Sequence, residues 1–241
     1  MGEFVGVRSL LMKQPKQRHS LAWFKLAEFV ARGEKERALG IYRLLSHSLE
    51  EKGLAFQLEA DLLRSFDDQV AFERYEQAAY SFAKNGSLEK AVFLYEFLLS
   101  EQGLNKQHLI ALTLMYDELE LRLKHLWTVS RLCVYHFNRE KEWEFVERCL
   151  ELHATNLSQQ DRFDVLGQVA LWYAQNESED FTVQCTVLDR VLDLWISNPT
   201  EARVKGLMHS LQVVSPRLYQ HGMNRLKLPH EEDLSERVAS E

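Results

Sequence analysis

GSLEKAVFLYEFLL, residues 86–99, decides how the rest of the chain is read. Gly86 closes one helix and Ser87 can cap the next, with Glu89 in its first turn. Leu88, Ala91, Val92, Tyr95, Leu98 and Leu99 then share one helical stripe. The same phrase stands earlier as GEKERALGIYRLL, residues 33–45, with glycine, acid, base, alanine, aliphatic and tyrosine in matching places. A third copy, FDDQVAFERYEQAA, covers residues 66–79. Three related helical phrases in one chain predict a repeat architecture.

Composition agrees. The chain has 241 residues, 46% of them hydrophobic, which is enough for a sizeable core. The four prolines stand at positions 15, 199, 216 and 229, so residues 16–198 contain none. A run that long, dense in Leu, Ala, Glu and Lys, predicts an all-α chain. The net charge of −7 disfavours general nucleic-acid binding, which needs a basic footprint. Both ends are nevertheless basic. Residues 4–27 carry Arg8, Lys13, Lys16, Arg18 and Lys25 without an acid, and residues 203–227 carry Arg203, Lys205, Arg217, Arg225 and Lys227 without one. Cys133, Cys149 and Cys185 read as reduced core thiols of a cytoplasmic protein. The longest apolar run, LIALTLMY over 109–116, is too short for a transmembrane segment.

In order, residues 1–19 form a lead-in, and a basic amphipathic turn through Phe4, Val7 and Leu11 could touch a membrane surface or cover one end of the array. Helix one carries Trp23, Leu26, Ala27 and Val30 and ends at Gly33; helix two carries Ala38, Ile41, Tyr42 and Leu45 and runs to Gly53. Helix three carries Leu58, Leu62 and Phe66; helix four carries Ala71, Tyr75, Ala78, Ala79 and Phe82. Residues 106–138 lack a strong breaker, so the end of helix six is not readable. Helix seven has Val129, Leu132, Cys133, His136 and Phe137, and helix nine follows Ser158. The acidic turn 177–180 precedes helix ten, as the helix macrodipole favours. Repeat units span 20–228, and the acidic tail 229–241 is expected to be disordered. Ala27, Ala38, Ala71, Ala78 and Ala91 are expected where helix backbones approach closely.

These residues resemble the tetratricopeptide repeat. Trp23, Leu26, Ala27, Gly33, Ala38 and Tyr42 follow that family's order, and Ala38 to Ala71 and Tyr42 to Tyr75 are each 33 residues apart. Ala91 and Tyr95 come only 20 residues later, so helix four doubles as the second helix of one unit and the first of another. The resemblance covers roughly residues 20–100; beyond 105 only fragments match, and no unit ends in the family's proline. It implies a right-handed α-α superhelix of about five helical hairpins whose concave groove holds a peptide or helix of another protein. It implies no enzyme activity and no cofactor. By family register the inner face includes Lys25 and Glu28 on helix one, Gln57 on helix three and Arg131 on helix seven.

Chemistry-bearing motifs are sparse. The glycines are scattered, and neither a nucleophile elbow nor HExxH nor CxxC occurs. Cys133, His136 and Cys149 could converge on Zn²⁺, but each lies on an apolar stripe, where core packing is the simpler reading. Asp67-Asp68 and Glu50-Glu51 read as solvated turns, and the tryptophans at 23, 127, 143, 172 and 195 as core rather than a ligand cage. The expected function is a protein-interaction adaptor. The alternatives are a self-assembling scaffold, including a homodimer, or a regulatory module whose basic ends meet an acidic surface.

Overall fold

The computed structural model describes residues 17–140, 143–155, 157–176, 180–197 and 201–226. Among them the chain is all-α, with twelve helices and no strand. The helices are α1 (Gln17–Ala31), α2 (Lys35–Ser46), α3 (Lys52–Arg64), α4 (Val70–Lys84), α5 (Leu88–Gln102) and α6 (Lys106–Glu118). They continue with α7 (Arg122–Glu140), α8 (Trp143–His153), α9 (Gln159–Gln175), α10 (Phe181–Ser197), α11 (Glu201–Val214) and α12 (Pro216–Leu226). No helix among the described residues is long and apolar enough to cross a membrane. The chain divides into two compact units, residues 1–108 and 109–241, with the division inside α6. The tail after Pro229 and the basic residues Arg8, Lys13 and Lys16 lie outside the described residues.

One C-terminal motif ends four of the helices. A backbone N–H reaches back five residues at Glu34→Phe29, Asp68→Leu63, Ser87→Phe82 and Leu121→Tyr116, at 2.8–3.1 Å. The residue before each of these donors, Gly33, Asp67, Gly86 and Glu120, has φ between 55° and 76° and donates three residues back. This is the Schellman arrangement, in which a left-handed residue satisfies carbonyls that the helix leaves orphaned. Glycine adopts that conformation freely, so Gly33 and Gly86 announce themselves in the sequence. Glu120 does not, which is why the end of α6 had no readable signal.

In the first unit α4 packs extensively against both α3 and α5, as its double register predicts, and α1 packs mainly against α2. Ala38, Ala71, Ala78 and Ala91 are fully buried where helices meet. The Tyr42 hydroxyl donates to the Ala55 carbonyl oxygen at 2.7 Å, and that of Tyr75 to Asp61 Oδ1 at 2.6 Å. Burial, then the Glu59 charge, pushes the Tyr42 phenol up to about 12. Polar ties join positions about one hairpin apart: Lys35 to Asp68 at 2.5 Å, Glu51 to Lys90 at 2.9 Å and Arg64 to Glu101 at 3.1 Å.

Several expectations need correction. Ala27 is exposed, and Trp23, Leu26 and Val30 are only half-buried, because α1 has its main neighbour on one side. Helix two stops at Ser46 rather than at Gly53. Gly53 instead lies inside α3, where an added Cβ would come within 2.7 Å of the Phe82 ring. It is a close-approach glycine, not a breaker. Ser87 makes no side-chain capping bond. Leu94, off the expected stripe of α5, is also buried. None of the five tryptophans is fully buried, and Trp127 is 43% exposed.

The second unit has two rows of helices. In one row α9 contacts both α7 and α11; in the other α10 contacts α12; hairpin contacts join α7 to α8, α9 to α10 and α11 to α12. Asp161 and Asp164, one turn apart on α9, reach opposite neighbours: Asp161 pairs with Arg122 of α7 and Asp164 with Arg203 of α11. Both pairs span 39 residues. In the other row His221 and Arg225 of α12 meet Asp189 and Asp193 of α10, each over 32 residues. Arg217 lies over the Phe181 ring at 3.9 Å. Arg203 and Arg225, two of the five cations of residues 203–227, are therefore compensated by carboxylates within this unit.

Candidate functional site: the cleft between α7 and α9

The four residues expected to contact a partner fall in different settings. Lys25 is exposed on α1, Glu28 is paired with Arg32 at 2.5 Å, and Gln57 is half-buried on α3. None of these three lines either of the two cavities described below. Arg131 does.

The cleft follows from how α7 and α9 divide their faces. On α7, Leu126, Val129, Leu132, Cys133 and Phe137 are buried. Trp127 and Arg131, four residues apart, form the outward ridge. On α9, Val165, Val169 and Tyr173 are buried, leaving Gln168, Leu171, Trp172 and Gln175 on the exposed side at helical spacing. Between these ridges lies a cavity of about 170 Å³, lined by Trp127, Ser130, Arg131, Val134, Gln168, Leu171, Trp172 and Gln175. Trp172 stands edge-on to Tyr173, with ring centroids 5.0 Å apart.

The spacing of the walls is set at the helix starts. Ser158 caps α9 through a reciprocal box: its hydroxyl oxygen accepts from the Asp161 N–H at 3.2 Å, and Asp161 Oδ2 accepts from the Ser158 N–H at 3.3 Å. The other carboxylate oxygen of Asp161 accepts from Arg122, the first residue of α7. Burial pushes the Asp161 carboxyl up, but Arg122 and the Ser158 bonds outweigh it and hold it below the usual carboxylate range. The cap of one helix thus also ties it to the other.

Among the described residues, Arg131 is the only charged one in the lining. Its guanidinium carbon lies 5.2 Å from the Trp127 ring centroid, a cation–π contact. It is half-buried and has no ion pair or hydrogen bond with another described residue. Burial alone lowers its pKa from the ordinary arginine value. A partly desolvated cation without a counter-ion receives anions readily.

A second cavity, of about 600 Å³, lies at the α6–α7 turn and the α8–α9 loop, lined in part by Asp117, Glu120, Arg122, His125, His153 and Asp161. Its polar groups largely satisfy one another. His125 lies 3.5 Å from Asp117 and 3.2 Å from the His153 carbonyl oxygen, and Arg122 meets Asp161.

Cys133 and Cys149 are buried free thiols. A hydrogen bond to Cys149, followed by burial, raises the Cys133 thiol well above its ordinary pKa. His136 is half-buried with its ring edge-on to Tyr135 at 5.7 Å. No group of three His, Cys, Asp or Glu among the described residues is arranged to hold a metal ion.

Arg131 is the one residue named from family register that also lines this cleft. The rest of the cleft was not legible. Trp127 gave no stripe signal, and Trp172, on the border of its helix's apolar face, read as core. The signal that could have found them is the second stripe of α9, Gln168, Leu171 and Gln175, at three- and four-residue steps opposite the buried one.

No family model matches the chain, and no curated protein or solved structure matches it either.

Proposed function

We propose that the chain is a protein-interaction adaptor that holds a segment of a partner polypeptide against α7 and α9, in a tetratricopeptide-like right-handed superhelix. The observation that carries this reading is Arg131, half-buried and unpaired among the described residues, laid on the exposed Trp127 beside a cavity of about 170 Å³. Small-molecule sites generally occupy roughly 300–1,000 Å³. The cleft is below that range and suits a single side chain of a docked segment. Exposed tryptophan and arginine in a cleft are also the residue types that anchor protein interfaces. Gln168 and Gln175 supply donors and acceptors for a partner's backbone, whereas the Ser130 hydroxyl is buried and donates to the Trp127 carbonyl oxygen. Within the first unit, taken by itself, Lys25, Glu28 and Gln57 are proposed as separate partner contacts, with Glu28 already engaged by Arg32.

The test is a paired affinity capture from native lysate, using the wild-type chain and a Trp127→Ala, Arg131→Glu double variant of matched helicity. Proteins retained by the first and lost by the second are expected, and the purified candidate must show the same loss. Equal capture by both baits removes the cleft from the interface. Recovery of the chain alone from both points to self-assembly instead.

A further inference from the structure

Resting on that reading, we propose that the cleft selects a partner segment by one side-chain carboxylate, an internal Asp or Glu, placed beside an apolar anchor residue. The charge count of the lining sets the ligand's charge. Arg131 supplies a single positive charge, and no other described lining residue is ionic. A carboxylate monoanion matches it. A phosphate dianion would leave excess negative charge in a partly desolvated site.

Geometry sets how the carboxylate is held. The cation–π contact with Trp127, 5.2 Å from the guanidinium carbon to the ring centroid, restricts the guanidinium on that side. The in-plane N–H donors remain for a forked pair of bonds to a carboxylate. The cavity volume of about 170 Å³ equals roughly six water volumes, room for one apolar side chain between Trp127 and Trp172. Arg131 stands midway along the nineteen-residue α7, so a segment laid along that helix continues past it on both sides. The carboxylate is therefore a side chain within the segment rather than a chain end.

The experiment begins with a library of short random peptides, blocked at both ends and panned on the purified full-length chain. Enriched peptides are expected to carry Asp or Glu within a few residues of Trp, Phe or Leu. One enriched peptide and its Glu→Gln or Asp→Asn counterpart are then titrated by fluorescence anisotropy. Loss of the carboxylate is expected to weaken binding about ten- to a hundredfold. The Arg131→Gln chain is expected to bind both peptides equally weakly, and Arg131→Lys to restore part of the preference. A peptide lost with Trp127→Ala but indifferent to its own carboxylate overturns this inference and leaves the adaptor reading standing. Peptides whose binding survives both Trp127→Ala and Arg131→Gln, or no enrichment at all, overturn the two together. Preference for a phosphorylated peptide over its Glu counterpart overturns the charge argument.

Discussion

Gly53 shows at the scale of one residue how the first unit is held. It is the second residue of α3, and its Cα faces the ring of Phe82, a fully buried side chain of α4. A methyl group there would lie 2.7–3.0 Å from three ring carbons. Alanine is the better helix former by about 1 kcal/mol, so intrinsic propensity favours the substitution. Packing opposes it, because an aromatic ring enclosed on all sides cannot yield as a flexible side-chain end does. Gly53→Ala is expected to destabilise the chain by about 1–2 kcal/mol net, read as a lower urea midpoint. Gly53→Ala combined with Phe82→Leu should show positive coupling, since the smaller partner relieves the clash. Arg131 is the opposite case. Its surroundings are incomplete rather than full, and its half-buried charge has no counter-ion among the described residues.

At the scale of the element, the turns matter more than the helices. The Schellman ends of α1, α3, α4 and α6 use the same two backbone bonds but different residues at the left-handed position. An L-residue in that conformation costs about 1–2 kcal/mol, partly offset because glycine loses more entropy on folding. Glu120→Gly is therefore expected to stabilise the protein by about 0.5–1 kcal/mol, and Gly33→Ala to destabilise it by a similar amount. Nothing lies within 4 Å of a Cβ built at Gly33, so the second effect reports backbone conformation alone. Thermal midpoints of the two variants, moving in opposite directions, check the argument; movement of both in one direction defeats it. The same contrast explains what the sequence made legible. Helix count and register came from apolar stripes and from glycines that mark turns. The end of α6 stayed hidden because a glutamate fills a glycine's role. Gly53 misled because a glycine packed against Phe82 looks, in one dimension, like a helix stop. Of the cleft, the sequence named only Arg131, through the family register, whereas the outward placement of Trp127 and the partial exposure of Trp172 depend on which face of α7 the start of α9 draws inward through Arg122 and Asp161.

At the scale of the molecule, the hairpin period is written into its polar ties. Ion pairs recur at separations of 32 to 39 residues in both units, each linking a helix to its counterpart one hairpin onward or, at Glu51 and Asp68, to the residues just before that counterpart. Chains built this way gain stability from nearest-neighbour contacts, so the helix with the most neighbours couples the rest. In the second unit that helix is α9, which contacts α7, α10 and α11. It buries nine residues, including Val165, Val169, Ala170 and Tyr173 with no measurable exposure. Its amides are expected to exchange most slowly in that unit. Val169→Ala removes two buried methyl groups and should cost about 1–3 kcal/mol, which speeds exchange about five- to a hundredfold where opening is shared. Faster exchange is expected in α7, α10 and α11 together with α9, because their packing depends on it. Acceleration limited to α9's own amides would mean that each hairpin opens alone, and that the ties through Asp161 and Asp164 carry no coupling. The result bears on function as well, since the proposed cleft has α7 and α9 as its walls. If the two open as one, a partner bound between them should slow exchange in both helices and in α10 and α11 behind them.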